Sequence, residues 1–196
     1  MSRRSQPDHY SKRARAEGYS ARSVYKLQEL HQRHRLQLDG PGAVLDLGAA
    51  PGSWSQYLLQ HTRPATRVVS VDLSPIEQLD AARHLVITGD FTSASVAEQV
   101  EHNGPYHLVV SDAAPKTTGN RLVDTARSEE LVIAAAAIAD RVLSHGGALV
   151  CKVFQGGGQQ QLIAQLQQHY NSVRRYKPTA VRKESMELYV LALGKT

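Results

Sequence analysis

Short apolar runs alternate with helical stretches along most of this chain, and this alternation constrains its fold more than any other feature of the sequence. The runs cover residues 42–48, 67–73, 84–90, 106–115 and 148–154. Strands that alternate with helices in this way are typical of a mostly parallel sheet built from strand–helix–strand units. Nearly continuous apolar runs suit strands buried on both faces, so we expect helices on both faces of the sheet.

The two ends of the chain predict different arrangements. Near the C-terminus, SVRRYKP and ELYVLALG read as two strands joined by a basic loop, with no helix between them. Such neighbours pair antiparallel, which places an antiparallel strand at one edge of the sheet. Residues 1–22 are polar and basic, and we expect an arm that is ordered only in part. A helix over residues 23–34 then opens a single domain that spans residues 23–196.

Charge is distributed unevenly, and the net charge of +5 conceals this. Residues 1–35 carry a formal charge of +6, residues 36–173 carry −5, and residues 174–196 carry +4. Clustered Lys and Arg side chains neutralise phosphates and release counterions, so two basic ends favour a polyanion partner. A solvated basic tail is the alternative interpretation of the N-terminus.

Several classes of protein are excluded by what the sequence lacks. Cys151 is the single cysteine, so no intramolecular disulfide can form, and no Cys/His cluster has the spacing of zinc ligands. No apolar run approaches the ~20 residues of a membrane span, and the N-terminus lacks the apolar core of a signal peptide. We therefore expect a cytoplasmic protein without a metal site or membrane contact, and nothing in the sequence demands more than a monomer.

Charged residues end the predicted strands, where apolar or small residues are usual. They are Asp46, Asp72, Asp90, Asp112 and Lys152. An unpaired buried charge is costly, so packing alone does not explain five of them. Ligands of open α/β sheets bind beyond the carboxyl ends of the strands, and we expect these side chains to surround a site there.

The loop Gly48-Ala49-Ala50-Pro51-Gly52 connects the first predicted strand to a helix. Small residues let the backbone approach a ligand closely, and a helix N-terminus offers free N–H groups. The loop is neither a Walker A motif nor GxGxxG. Asp72, twenty residues after Gly52, is placed to accept hydrogen bonds from a ribose diol. A nucleoside-containing cofactor without a pyrophosphate, such as S-adenosylmethionine, fits this pattern, and a tight turn without a ligand is the alternative.

Five motifs in a fixed order carry a resemblance to a known family. They are DLGAAPGSWSQYL, VDLSP, TGDF, SDAAP and KVFQGGG. With YSKRARAEGYSARSVYKL near the start and ESMELYVLALG near the end, the chain resembles the FtsJ/RlmE family of ribose 2′-O-methyltransferases over almost its whole length. The resemblance implies an α/β, Rossmann-like fold with a seven-stranded sheet that binds S-adenosylmethionine. Ser53 departs from the pattern, since bacterial relatives commonly have glycine at this position.

The resemblance also implies the residues of the site. A catalytic Lys-Asp-Lys-Glu set falls on Lys26, Asp112, Lys152 and Glu187. The cofactor contacts fall on Gly52, Trp54, Asp72, Asp90 and the shared Asp112. In compact bacterial members the substrate is a uridine of 23S ribosomal RNA, so the resemblance implies ribosomal RNA within the large subunit as the partner.

Ribose methylation suits these residue types. A 2′-hydroxyl is a poor nucleophile, so its proton must leave as it attacks the sulfonium methyl, and Lys152 is the candidate base. The base must be a neutral amine, which burial and a second cation such as Lys26 favour. Asp112 and Glu187 favour the charged amine, so we expect them to position the lysines. Taken singly, Lys26 also suits a solvated helix position, and Glu187 also suits an edge-strand charge.

The basic ends supply candidate RNA contacts. They are Arg13, Arg15, Arg22, Lys177, Arg182 and Lys183. We expect them on the carboxyl-end side of the sheet, with Tyr10, Tyr19 and Tyr25 able to stack on unpaired bases. The alternatives are methylation of another RNA such as tRNA, methylation of a small molecule or a protein, and a non-catalytic RNA-binding or ribosome-assembly protein with the same fold.

Overall fold

The computed structural model describes residues 9–156, 159–182 and 185–196, in which seven strands form one sheet. The strands are β1 (Ala43–Leu47), β2 (Val68–Asp72), β3 (His84–Thr88), β4 (Tyr106–Ser111), β5 (Leu143–Phe154), β6 (Tyr170–Tyr176) and β7 (Glu187–Lys195). The helices are α1 (His9–Ala16), α2 (Val24–His34), α3 (Ser53–His61), α4 (Ala94–His102), α5 (Arg121–Val142) and α6 (Gln159–His169). The strand order is β3-β2-β1-β4-β5-β7-β6.

This topology confirms the predicted fold class. Strands β1 to β5 pair in parallel. Strand β7 pairs antiparallel with both β5 and β6, and β6 is the edge strand. Strands β1 and β4 are buried along their whole length, which explains their unbroken apolar runs. The strand order reverses at β1, so a crevice for ligands is expected beyond the carboxyl ends of β1 and β4.

Each face of the sheet has its own apolar core. On one face α2 and α3 pack against the strands through fully buried leucines such as Leu27 and Leu58. On the other face α4, α5 and α6 contribute Val100, Ile138 and Leu166. The basic helix α2 is therefore fixed in place by its apolar side.

Local hydrogen bonds and backbone angles set the ends of the helices. Helix α5 begins at Arg121 because the Asn120 side chain accepts hydrogen bonds from the N–H groups of Leu122 and Val123. Helix α2 ends at His34, as predicted, because Arg35 adopts a left-handed conformation with φ 51°.

The described part of the predicted basic arm, residues 9–22, contains a helix and contacts the rest of the chain. Ala14 of α1 is buried. The Tyr19 hydroxyl donates to Gln60 Oε1 at 2.7 Å, and the Ser20 N–H donates to Gln56 Oε1 at 2.8 Å. These contacts attach the segment to α3. The division into an arm and one domain stays a prediction.

The described ranges offer neither a membrane-spanning helix nor a metal-binding cluster. Within them, no helix is both long enough and apolar enough to cross a bilayer. The same ranges contain no group of three or more His, Cys, Asp or Glu residues that could hold a metal ion. Cys151 is buried in β5, and burial raises the pKa of its thiol to about 12.

Candidate active site

Four charged side chains from four separate segments meet beyond the carboxyl ends of β4 and β5. Lys26 Nζ, on α2, lies 2.7 Å from Glu187 Oε2, at the start of β7. It lies 3.7 Å from Oδ1 of Asp112, which directly follows β4. Lys152 Nζ, near the end of β5, lies 3.0 Å from the same Asp112 oxygen and donates to the Asp112 carbonyl. The structure therefore brings together the four residues that the motifs singled out.

Sheet register explains why two of these residues share one face. In the antiparallel β5–β7 pair, Lys152 lies opposite Tyr189, and Phe154 lies opposite Glu187. Side chains alternate along a strand, so Lys152, Tyr189 and Glu187 project from the same face of the sheet. Helix α2 packs on this face, which brings Lys26 over the ends of both strands.

Asp112 is held as a carboxylate by the cations around it. Burial alone would raise the pKa of its carboxyl group. The Lys152 and Lys26 ammonium groups, with hydrogen bonds from Tyr189 and Lys152, outweigh burial and lower the pKa below its usual value. Lys152 is 6% exposed and Lys26 is 9% exposed, so bulk water screens these interactions little.

Tyr189 is a residue of this site that the sequence analysis missed. Its hydroxyl donates to Asp112 Oδ1 at 2.5 Å, and its ring centroid lies 5.9 Å from both Lys26 Nζ and the Trp54 ring centroid. Burial, followed by the nearby Asp112 carboxylate, raises the pKa of Tyr189 well above its usual value. The hydroxyl therefore stays protonated as a hydrogen-bond donor. Only the β5–β7 register reveals this role, because the sequence alone shows an apolar strand.

The loop after β1 is shaped by glycines that no other residue could replace without strain. Gly48 and Gly52 have φ angles of 73° and 100°, in the left-handed region. A Cβ atom on Gly48 would lie 2.6 Å from Ala113 Cα, so the loop passes directly against the segment after β4. Helix α3 begins after Gly52 without a side-chain cap, which leaves its first N–H groups for other acceptors.

The acidic residues Asp72 and Asp90 lie beside this loop and beside the next strand end. Asp72 Oδ2 accepts from the Ala50 N–H at 3.0 Å, and its Oδ1 accepts from the Ser74 N–H at 2.8 Å. Asp90 is exposed and accepts hydrogen bonds from the Thr92 N–H and hydroxyl through Oδ1. Asp72 therefore fastens the loop after β1 to the loop after β2.

Trp54 is 2% exposed and its side chain belongs to the core. Its indole N–H donates to the Ser23 carbonyl at 2.8 Å. Ser53 Oγ lies 2.8 Å from Ser23 Oγ, so the serine that departs from the family pattern also connects α3 to the start of α2. A cofactor contact at Trp54 remains a prediction, and its backbone N–H at the helix start is the group that could make it.

Asp46 lies inside β1, so its assignment to a strand-end site was wrong. The side chain is completely buried and faces α3, where Ser55 Oγ donates to Asp46 Oδ2 at 2.7 Å. Ser55 Oγ lies 2.7 Å from Ser70 Oγ, which lies 2.8 Å from His84 Nε2. Burial, together with the nearby Asp112 and Asp72 carboxylates, raises the pKa of Asp46 to about 7, although Ser55 lowers it.

Two predicted RNA contacts lie at a cavity next to the lysines. The cavity measures about 360 Å³, and its lining includes Arg22, Lys26, Arg182 and Glu187. Burial lowers the pKa of Arg22, and the positive charge of Arg182 lowers it further. Two guanidinium groups close enough to repel each other beside a cavity favour an anion between them.

The other predicted RNA contacts occupy different places. Arg13 is exposed on α1 and pairs with Glu17 at 2.7 Å. Arg15 is exposed on the same helix. Lys177 Nζ donates to the Ser185 carbonyl at 2.7 Å. Lys183 lies outside the described residues.

The three tyrosines that were expected to stack on bases are not equivalent. Tyr10 and Tyr25 lie side by side, with ring centroids 5.5 Å apart. Tyr25 is buried and donates its hydroxyl to Glu17, and Tyr19 instead bonds to Gln60 on α3. Of the three, Tyr10 is both partly exposed and close to the cavity next to the lysines, because Arg22, which lines the cavity, has its Cζ atom 5.3 Å from the Tyr10 ring centroid.

A family model described as FtsJ-like methyltransferase matches residues 19–195. The chain belongs to the FtsJ-like methyltransferase family. It is 44% identical over 190 residues to a Treponema denticola protein named ribosomal RNA large subunit methyltransferase E, covering 96% of this chain and 95% of the relative. A Borrelia garinii relative of the same name is 44% identical over 184 residues, 94% of each chain.

Solved structures support the same fold for this FtsJ-like chain. A Plasmodium falciparum crystal structure, described as a candidate ribosomal RNA methyltransferase, has a TM-score of 0.78 at 22% identity and covers 90% of this chain and 98% of that one. The mycinamycin-pathway methyltransferase MycE, solved with Mg and SAH, has a TM-score of 0.59 at 15% identity and covers 97% of this chain and 50% of that one. At these identities, the likeness concerns the fold alone.

Proposed function

We propose that this chain transfers a methyl group from S-adenosylmethionine to a ribose 2′-hydroxyl of large-subunit ribosomal RNA, at a uridine of 23S RNA. The observation that carries the proposal is the cluster in which Lys152 and Lys26 both contact Asp112 beside an arginine-lined cavity. The names of relatives 44% identical over nearly the whole chain support the substrate class.

The residues after β1 and β2 fit an adenosyl cofactor. Gly48 and Gly52 keep the backbone free of side chains, and the uncapped start of α3 offers N–H donors. Asp72 and Asp90 are acidic acceptors at the ends of the next two strands, suited to a ribose diol and to the amino group of an adenine. When bound, the cofactor supplies an electrophilic methyl group on a sulfonium sulfur, so the chemistry needs no metal.

Each of the four charged residues has its own role in activating the ribose 2′-hydroxyl. Lys152 in its neutral form accepts the hydroxyl proton, and Asp112 aims its amine from 3.0 Å. Lys26 lies 3.7 Å from the same Asp112 oxygen, and Glu187 holds Lys26 at 2.7 Å. Tyr189 fixes the Asp112 carboxylate by a hydrogen bond at 2.5 Å. Much of the rate enhancement then comes from orientation.

The basic residues around the cavity suit the RNA backbone. Arg22 and Arg182 line the cavity beside Lys26 and are placed to bind phosphates that flank the acceptor ribose. We propose that Arg13, Arg15, Lys177 and Lys183 also contact the RNA. We propose that the chain acts as a monomer in the cytoplasm, on RNA assembled within the large ribosomal subunit.

The direct test supplies labelled S-adenosylmethionine with total RNA, naked ribosomal RNA, large subunits or cytoplasmic protein. We expect label in large-subunit RNA, within an alkali-resistant dinucleotide that marks a 2′-O-methyl group. Label found in tRNA, in protein or in small molecules alone would contradict the proposed substrate. No label in any fraction, with retained RNA binding, would support a non-catalytic assembly protein.

The Lys152→Ala variant tests the proposed base. We expect methyl transfer to fall by about 10³-fold, with cofactor affinity retained. Lys195→Ala is the matched control, because this lysine lies at the far end of β7 and is expected to leave the rate unchanged. Activity near the wild-type level in Lys152→Ala would overturn the assignment.

A further inference from the structure

A second, larger cavity lies next to the cavity that Arg22, Lys26 and Arg182 line, and it plays no part in the proposed mechanism. It measures about 500 Å³ and is bounded by α1, α2 and the segment after β6. Both cavities are lined by Ala180. Arg22 lies between them, since it lines the first cavity, donates to the Ala180 carbonyl and covers the ring of Tyr10 in the second.

Two arginines of this second cavity lie over tyrosine rings. Arg13 Cζ lies 4.6 Å from the ring centroid of Tyr25, and Arg33 Cζ lies 5.5 Å from that of Tyr176. A guanidinium plane that covers an aromatic ring on one side leaves its other side for a further planar group. Unpaired RNA bases stack on such planes.

Glutamates fix both stacks and reduce their attraction for anions. Glu17 accepts a hydrogen bond from the Tyr25 hydroxyl at 2.8 Å and pairs with Arg13 at 2.7 Å. Glu29 accepts from the Tyr176 hydroxyl and, at 2.7 Å, from the Thr179 hydroxyl, so it holds the wall of the cavity against α2. With acids beside its arginines, this cavity suits a neutral planar group better than a phosphate.

Two glutamine side chains offer hydrogen bonds to the edge of such a group. Gln28 and Gln32 lie one helical turn apart on α2, and both line the cavity. Neither amide has a hydrogen-bond partner among residues 9–156, 159–182 and 185–196. A glutamine amide carries both donors and an acceptor, the pattern that reads the edge of a nucleobase.

From these features we infer that the second cavity binds the base of an unpaired nucleotide adjacent to the acceptor. The base stacks on Arg13 or Arg33 and is read by Gln28 and Gln32, and Arg22 contacts the phosphate that joins the two nucleotides. This inference rests on the proposed function, because the acceptor ribose occupies the first cavity. It adds a specificity site that selects RNA strands by the base beside the modified ribose.

The first test compares kinetics on large ribosomal subunits. The Gln28→Ala/Gln32→Ala double variant should raise KM by about tenfold and leave kcat within about twofold, because the amides do not touch the reacting atoms. Gln165→Ala/Gln168→Ala is the matched control, since these exposed glutamines lie on α6, on the other face of the sheet. An unchanged KM in the first variant would overturn the inference.

The second test measures binding without turnover, so that it stands apart from the proposed catalysis. The probe is a fluorescent unpaired RNA of about ten nucleotides with a central uridine, and an abasic residue replaces each neighbour in turn. One abasic position should weaken binding to the wild-type chain about tenfold and weaken binding to the double variant less, because the double variant keeps only the stacking on arginine. Equal weakening in both proteins, or weakening in neither, would overturn the proposed subsite. If KM had nevertheless changed in the first test, the glutamines would contact a protein of the large subunit instead of a base.

Discussion

Asp46 lies in β1, and Asp112 directly follows the neighbouring strand β4. Both side chains are largely removed from water, and their pKa values shift in opposite directions. Asp46, inside β1, has a pKa raised to about 7, chiefly by burial. Asp112, directly after β4, has a pKa below its usual value despite burial, because Lys152 and Lys26 outweigh it. The difference shows that partner charge, more than depth, sets the ionisation of a carboxyl group here.

The two surroundings also differ in what they can do. Asp112 contacts two ammonium groups, and that of Lys26 lines a cavity, so the charge of Asp112 can orient groups that meet a substrate. Asp46 ends a buried chain of Ser55, Ser70 and His84, and its Oδ1 has no hydrogen-bond partner among the described residues. The first surrounding suits catalysis, and the second suits the connection of α3 to three strands.

The largest expected effect is a difference in methyl-transfer activity between variants of Asp112 and Asp46. Asp112→Asn should lower methyl transfer by about 10³-fold, because it removes the charge that aims Lys152. Asp46→Asn should remain within about tenfold of the wild type, because among the described residues no hydrogen bond or ion pair joins Asp46 to Lys26, Asp112, Lys152 or Glu187. Single-turnover rates on large subunits measure both. Equal losses of methyl transfer in the two variants would contradict this distinction, because Asp46 would then matter as much for activity as Asp112.

The next effect concerns stability around Asp112. Lys152→Met leaves the Asp112 carboxylate with one ammonium neighbour, so we expect a loss of about 3 kcal/mol in unfolding free energy at pH 8. Because the pKa of Asp112 is lowered, the stabilisation it contributes is present above about pH 4 and is lost as pH falls further, so the deficit of the variant should shrink at low pH. Denaturant unfolding at pH 3 and pH 8 measures it. An identical deficit at both values would contradict the electrostatic explanation.

The third effect concerns the pH dependence at Asp46. Its pKa is raised from 3.8 to about 7, so its contribution to stability is fully present below about pH 4 and declines as pH rises towards 7. Asp46→Asn does not titrate, and its stability relative to the wild type should therefore improve between pH 5 and pH 8, by on the order of 2 kcal/mol. Urea unfolding across this range is the measurement. A difference that stays constant with pH would refute the raised pKa.

The smallest effect tests the chain of hydroxyls. Ser55→Ala removes the donor to Asp46 Oδ2, and we expect a loss of about 1 to 2 kcal/mol in unfolding free energy. Ser95→Ala, at an exposed serine of α4, serves as the control and should change stability little. Equal stability of the two variants would show that the buried chain contributes nothing.

Much of the site could be predicted because its chemistry is carried by residues in short, ordered motifs. Lys26, Asp112, Lys152 and Glu187 were all named from the sequence, and the structure brings them within 3.7 Å of a partner in the cluster. Tyr189 was missed because its role depends on the β5–β7 register. Asp46 was misplaced because a one-residue difference at a strand end decides whether a side chain faces the core or the crevice.

The sequence by itself determined the alternation of strands and helices, the antiparallel pair at one edge, and the residues that carry charge at the strand ends. These follow from local patterns, since apolar runs, turns and glycines act over a few neighbouring residues. Only the tertiary structure decided which charges pair and which carboxylate is ionised. It alone showed that a second cavity shares Ala180 with the first and is lined by two glutamines without hydrogen-bond partners among the described residues. Those properties depend on contacts between distant segments, because the pKa of a buried group and the shape of a cavity arise from neighbours that only folding brings together.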